Sequence, residues 1–366
     1  MLLRAMAVSL VVCACPAPLP SGTDAGLDGS RDGGGFCATL PSFTENVSAC
    51  PFAMDDYRPR ENDSANDTWP ACVSDTNVFS PINPSISTVA RVAAFEQMAD
   101  LLWRGQRTPG PQDFVDARVL YAQDQGLDSR VQRREDIHYP AAAMPCSTAG
   151  VPAANPDRCV GPAKLLPIIN DAFTRGASGE RAQVHAARLE AALLWFLYAS
   201  TLSEVVTCTT RAQDCDSCWA YYGGGAPRDQ VVGLAKVVQA LVPEAHQRAY
   251  DATLAVRCWR NLDNETGVAT NLALRDRALG QLDRAMLRGV AVVLRQRVAE
   301  LSCTSGETRD ARLAFAQVLS PLLERALRER SPSSADVVKT QLSKVDAATV
   351  DVAAVTTALD TALPCP

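Results

Sequence analysis

The stretch DCDSCWAYYGGGAP, residues 214–227, gathers the densest set of side chains able to do chemistry in this chain. Cys215 and Cys218 stand three apart between acidic neighbours, and Trp219, Tyr221, Tyr222 and three glycines follow. Three chemistries fit such a run. A Cys-x-x-Cys pair is half of a structural zinc set, which needs four thiolate or imidazole ligands. Cys208, His246 and Cys258 are the nearest candidates to complete it. A dithiol redox centre uses the same spacing but wants a strand feeding the motif into a helix, whereas the preceding residues read as a long helix. The third chemistry is a disulfide staple, closed within the pair or to Cys208 or Cys258, and the sequence favours it.

Elsewhere the ligand-like groups are sparse. The histidines are His138, His185 and His246. His138 and Tyr139 lie beside Glu135 and Asp136, and such oxygen and nitrogen donors suit a hard or borderline metal such as ferric iron. The same residues also make an ordinary exposed polar loop. No Ser-His-Asp or Cys-His set has a recognisable spacing, and GASGE at 176–180 reads as a helix start rather than a phosphate loop. The expectation is therefore a protein that is not an enzyme.

The amino terminus sets the compartment. Residues 1–14 read as a signal peptide: Arg4, then a short apolar run through Leu10, Val11 and Val12. Val-Cys-Ala before Cys15 resembles a lipobox, which makes Cys15 the lipidated first residue and the lipid the membrane attachment. Ordinary cleavage near residues 18–22 is the alternative. The apolar run is too short for a span, which takes about 20 residues. Residues 15–35, rich in Gly, Asp and Ser, read as a flexible tether.

Thirteen cysteines occur, two of them at the leader. The other eleven are Cys37, Cys50, Cys72, Cys146, Cys159, Cys208, Cys215, Cys218, Cys258, Cys303 and Cys365. Spread along the chain, they suit disulfides in an oxidising, extracytoplasmic space, periplasmic or at the cell surface. Their odd number requires a free thiol or a bond between chains. Net charge is −6, with lysine only at Lys164, Lys236, Lys339 and Lys344, so nucleic acid is not an expected partner. A protein partner remains open. Asn-x-Ser/Thr triplets at Asn46, Asn62, Asn66 and Asn264 read as chance in a lipoprotein.

These groups must be positioned by helices. Residues 36–84 read as an irregular, Cys-containing segment, and residues 85–366 as a single all-α, multi-helix globular domain over which that segment is pinned by disulfides. Apolar residues recur at helical spacing in 85–105 and 111–126, and again in 180–207, 233–261, 271–300, 308–330 and 334–362. Gly280 and Gly289 weaken the 271–300 helix. Between them, 137–162 is a Pro- and Ala-rich loop that Cys146 and Cys159 could close. The segment 180–207 is apolar nearly all round and is expected at the centre of the core.

Two runs also resemble a known family. Asp116 to Tyr121, with Gly126 and Ser129, is similar to the A-x-x-x-Y-x-x-G-x-x-S run of the Fea-type low-iron-inducible periplasmic proteins, which include the phytotransferrins. Asp216 to Gly224 looks like that family's D-x-x-W/V-A-F/Y-Y-x-G segment, although Cys218 interrupts it. The resemblance covers residues 89–265 and implies extracytoplasmic iron uptake. It implies ferric iron held by Tyr121, Tyr221, Tyr222 and Asp216, with His138 and Tyr139 as further candidates and a synergistic anion such as carbonate. Phenolates bind ferric iron once deprotonated. VHAARLEAALLW also resembles the H-x-x-E-x-x-L-W region of the imelysins. There Glu190 stands five residues after His185, about 140° round a helix, and Arg188 holds the place of the motif's glutamate. The reading that needs no metal is a non-catalytic helical scaffold or partner-binding lipoprotein.

Overall fold

The computed structural model describes residues 49–59, 68–105, 107–123 and 126–366. The expected signal peptide, Cys15, the tether and Cys37 lie outside the described residues. Thirteen helices occur among those described, with no strand. They are α1 (Thr88–Leu102), α2 (Pro111–Ala122), the single turns α3 (Asp128–Val131) and α4 (Val151–Ala154), and α5 (Leu166–Ala177). Next come α6 (Ala182–Thr207), α7 (Asp214–Gly223), α8 (Gly233–Leu241), α9 (Pro243–Leu262) and α10 (Leu272–Ala299). The last are α11 (Gly306–Arg330), α12 (Pro332–Leu342) and α13 (Val352–Ala362).

The centre is α6, as its apolar circumference requires. Leu189, Leu193, Phe196 and Leu197 are all buried, and the helix packs against α1, α5, α7, α8, α10 and α11. Among the described residues α6 alone is long and apolar enough to cross a membrane, but most of it is covered by its own protein. Its neighbour α10 runs unbroken for 28 residues through both of its glycines. At Gly289 the absent Cβ has a packing reason: one built there would stand 2.7 Å from Val238 Cγ1 on α8. The helix expected over 334–362 is instead two, α12 and α13, separated by a short turn at Ala347–Thr349. Ser331 caps the first of them, its side chain accepting from the Ser334 amide. Pro243 opens α9, where its missing N–H costs nothing.

The segment before α1 is irregular apart from a turn at Val73–Thr76, and it is fastened to the helices. Cys50 is bonded to Cys365 and Cys72 to Cys258. Tyr57 and Gln281 of α10 exchange two hydrogen bonds of 2.9 Å between backbone and side-chain amide. The Tyr57 hydroxyl donates to Asp75 at 2.7 Å. Cys146–Cys159 closes the long loop and Cys208–Cys215 joins the end of α6 to α7. Cys303 is also disulfide-bonded.

Candidate functional site

In α7 the motif DCDSCWAYYGGG is put to structural use. Cys215 takes Cys208, one of its two expected external partners, and leaves Cys218 as the free thiol. Burial, with the nearby Glu204 charge, pushes that thiol well above its ordinary pKa, so the pair offers neither a dithiol nor a zinc half-site. Asp216 accepts the backbone amides of Ile82 and Asn83 at 3.0 and 2.6 Å, and Trp219 stacks on Phe79 at 4.3 Å. Both contacts seat the irregular segment on α7. Gly224 and Gly225 follow with φ of +76° and +71°, the left-handed region that glycine enters without cost. A Cβ on Gly224 would also meet Val232 Cγ2 at 2.0 Å.

The two tyrosines of the motif point to different neighbourhoods. Tyr222 is fully buried and its hydroxyl meets His246 Nδ1 at 3.1 Å. His246 Nε2 meets the Arg228 carbonyl at 3.0 Å, which fixes Nε2 as the protonated nitrogen and Nδ1 as the acceptor of the tyrosine. Tyr221 lies under Arg134, whose guanidinium sits 5.5 Å from the ring centre and donates to Glu204 at 3.3 Å. Arg91 and Arg130 also act on Tyr221. Burial raises the Tyr221 phenol, Arg134 opposes that, and Glu204 reinforces it.

The other expected ligands are elsewhere. Tyr121 packs on Phe173 of α5, with ring centres 5.5 Å apart, and burial, then Asp128, raises its phenol. His138 is held between Asp136 at 2.7 Å and Asp283 of α10 at 3.1 Å. Asp283 accepts the Tyr198 hydroxyl at 2.5 Å, and Arg325 of α11 stands 3.7 Å from it. Burial lowers the His138 pKa, but the bonds to Asp136 and Asp283 outweigh it and lift the imidazole to about 9. Tyr139 is half-buried in the same loop, its carbonyl accepting from Arg158.

Tyr121, Tyr222, Asp216 and the His138–Tyr139 pair are thus separate from one another and from Tyr221. Among the described residues no three His, Cys, Asp or Glu side chains are grouped to hold a metal ion. Among the expected ligands, Tyr221 feels the nearby Glu204 carboxylate, but Arg134, Arg91 and Arg130 act on it too. That charge repels a trivalent cation, so these residues do not fit ferric iron. Glu190 bonds to Arg297 at 3.0 Å and Arg188 to Asp171, on different sides of α6, so His185 and Glu190 do not chelate together.

A concave site lies outside the motif of α7. A cleft of about 680 Å³ opens between α5, α6 and α11. Its apolar lining includes Ile168, Val184, Val318 and Pro321, and its charged lining is Lys164 and Arg188. Trp195 also lines it, and the indole N–H of this buried residue has no hydrogen-bond partner among the described residues. Lys164, in the helical turn Gly161–Leu165 that leads into α5, stands four residues before Ile168, and α6 and α11 supply Arg188 and Trp195, and Ala314, Gln317 and Pro321, at helical spacing. Pro321 carries no N–H, so the Gln317 carbonyl four residues earlier has no donor within α11.

Comparisons with protein-family models, with curated proteins and with solved structures found no match to this chain.

Proposed function

We propose that this chain is an extracytoplasmic, lipid-anchored, non-catalytic helical binding protein. One observation carries the reading: the side chains with chemical potential are each committed, in separate places, to holding the fold together. Asp216 and Trp219 dock the irregular segment, Tyr222 and His246 fasten α7 to α9, and His138 links the long loop to α10. The cleft beside Trp195 is of a size that small-molecule sites use, about 300–1,000 Å³.

The disulfides support an oxidising compartment. They leave the anchor at Cys15 to be tested directly. The full chain, expressed in a bacterium fed an alkyne-tagged palmitate, should carry the label in the membrane fraction. Cys15→Ser should lose the label and release the protein. Unlabelled wild-type protein retained in the cytosol would overturn the reading. Titration of the Cys15→Ser protein with ferric salt and bicarbonate should give no visible tyrosinate-to-iron band. A band abolished by Tyr221→Phe would restore the iron-uptake alternative.

A further inference from the structure

We infer that the cleft between α5, α6 and α11 binds a small amphiphilic anion, an apolar chain or ring ending in one carboxylate or phosphate. The inference rests on the binding-protein reading and specifies its ligand class. Its argument is one of complementarity. The body of the cleft is hydrocarbon, from Ile168, Val184, Ala314, Val318 and Pro321, and apolar ligand surface gains by leaving water for such a wall.

The ionisable groups lining the cleft are Lys164 and Arg188, and no carboxylate is part of the lining. Each has a carboxylate partner outside the lining, Asp157 for Lys164 and Asp171 for Arg188. Those partners are open to solvent, with side-chain exposures of 56% and 37%, and pairs so exposed hold weakly. An anion entering the less hydrated cleft competes with them on favourable terms. The Lys164 ammonium lies 5.8 Å from the Trp195 ring centre, which keeps the charge beside the cleft.

Trp195 gives the cleft an aromatic wall: its ring is 3% exposed and lies beside the Lys164 ammonium. A cationic ligand is disfavoured by the two basic residues. The lining therefore selects a ligand that is apolar along its length and an anionic acceptor at one end.

The test uses the unlipidated full chain carrying Cys15→Ser, so that no protein-bound lipid competes. Decanoate, decyl phosphate and decan-1-ol are titrated by calorimetry, each below its micelle concentration. At least one of the two anions should bind about tenfold or more tightly than the alcohol, the worth of one charge-assisted contact. Lys164→Gln should weaken that anion about tenfold and leave the alcohol unchanged. Ala314→Trp, which fills the cleft, should abolish binding, with far-ultraviolet dichroism checking that the variant is folded. Silence from both anions would overturn the inference. So would an alcohol as tight as the anions, or Lys164→Gln without effect. Silence from the probes together with a palmitate label on wild type would remove only the ligand class, whereas an unlabelled cytosolic protein would remove the underlying reading.

Discussion

His138 makes stability depend on pH in a direction opposite to that expected of buried carboxylates. Its imidazole has 15% side-chain exposure and lies between Asp136 on its own loop and Asp283 on α10. Tyr198 of α6 and Arg325 of α11 complete the surroundings through Asp283. Burial alone would lower the pKa, but the two carboxylates raise it to about 9 from 6.5. A raised folded pKa means that the folded state binds the proton more tightly than the unfolded chain does. The contribution is therefore complete below about pH 6.5 and disappears as pH rises through about 9. The difference corresponds to ~3 kcal/mol, or about 5 °C in Tm for a chain of this length.

The assay is urea unfolding of wild type and His138→Asn at about pH 6 and about pH 9.5. Wild type should lose ~3 kcal/mol more than the variant between those conditions. The variant should be the less stable protein at the acidic end and nearly equal to wild type at the alkaline end. Comparing two proteins removes the titration of every group that does not interact with the imidazole. Equal pH slopes, or a wild type that gains on the variant as pH rises, would show that the imidazole is not held as a cation between Asp136 and Asp283.

Two further pairs of variants read the packing. Gly280 has only Arg284 Nη1 near its absent Cβ, at 3.5 Å, whereas Gly289 faces Val238 Cγ1 at 2.7 Å. Gly280→Ala should stabilise by ~0.5–1 kcal/mol in urea unfolding, and Gly289→Ala should destabilise by ~1–3 kcal/mol. If both stabilise, α8 does not approach α10 as described. The disulfides differ in the loop they close, 186 residues for Cys72–Cys258 against 7 for Cys208–Cys215. Replacing both cysteines by alanine should cost ~5 kcal/mol for the first and ~2 kcal/mol for the second. Equal costs would count against chain entropy as the source.

Much of the architecture is legible in the sequence because helical periodicity is a local property. The all-α class and the central place of α6 follow from spacing and composition, whereas closure of the long loop by Cys146 and Cys159 was one pairing that spacing left open. The odd count left a free thiol or a bond between chains open, and among the described residues Cys218 is free. The break between α12 and α13 was missed because the apolar pattern continues through a turn that carries no glycine or proline. Gly280 and Gly289 look alike in sequence, and only the approach of α8 separates a removable weakness from a packing requirement.

For the site the division is sharper. Residue types name Tyr121, Tyr221, Tyr222, Asp216 and His138 as candidates, but whether donors converge depends on helices far apart in the chain. The tertiary structure sends Tyr222 to His246, Tyr221 to Arg134, His138 to Asp283 and Asp216 to the amides before α1. It also builds the cleft beside Trp195 from Lys164 ahead of α5, Arg188 and Trp195 of α6 and Pro321 of α11, residues that form no motif. The sequence by itself determined which segments are helices and which faces must be buried, because both depend on neighbours three and four residues away. Only the tertiary structure decided which polar groups meet, because that depends on the docking of surfaces from separate elements, 24 residues apart for Tyr222 and His246 and 145 for His138 and Asp283.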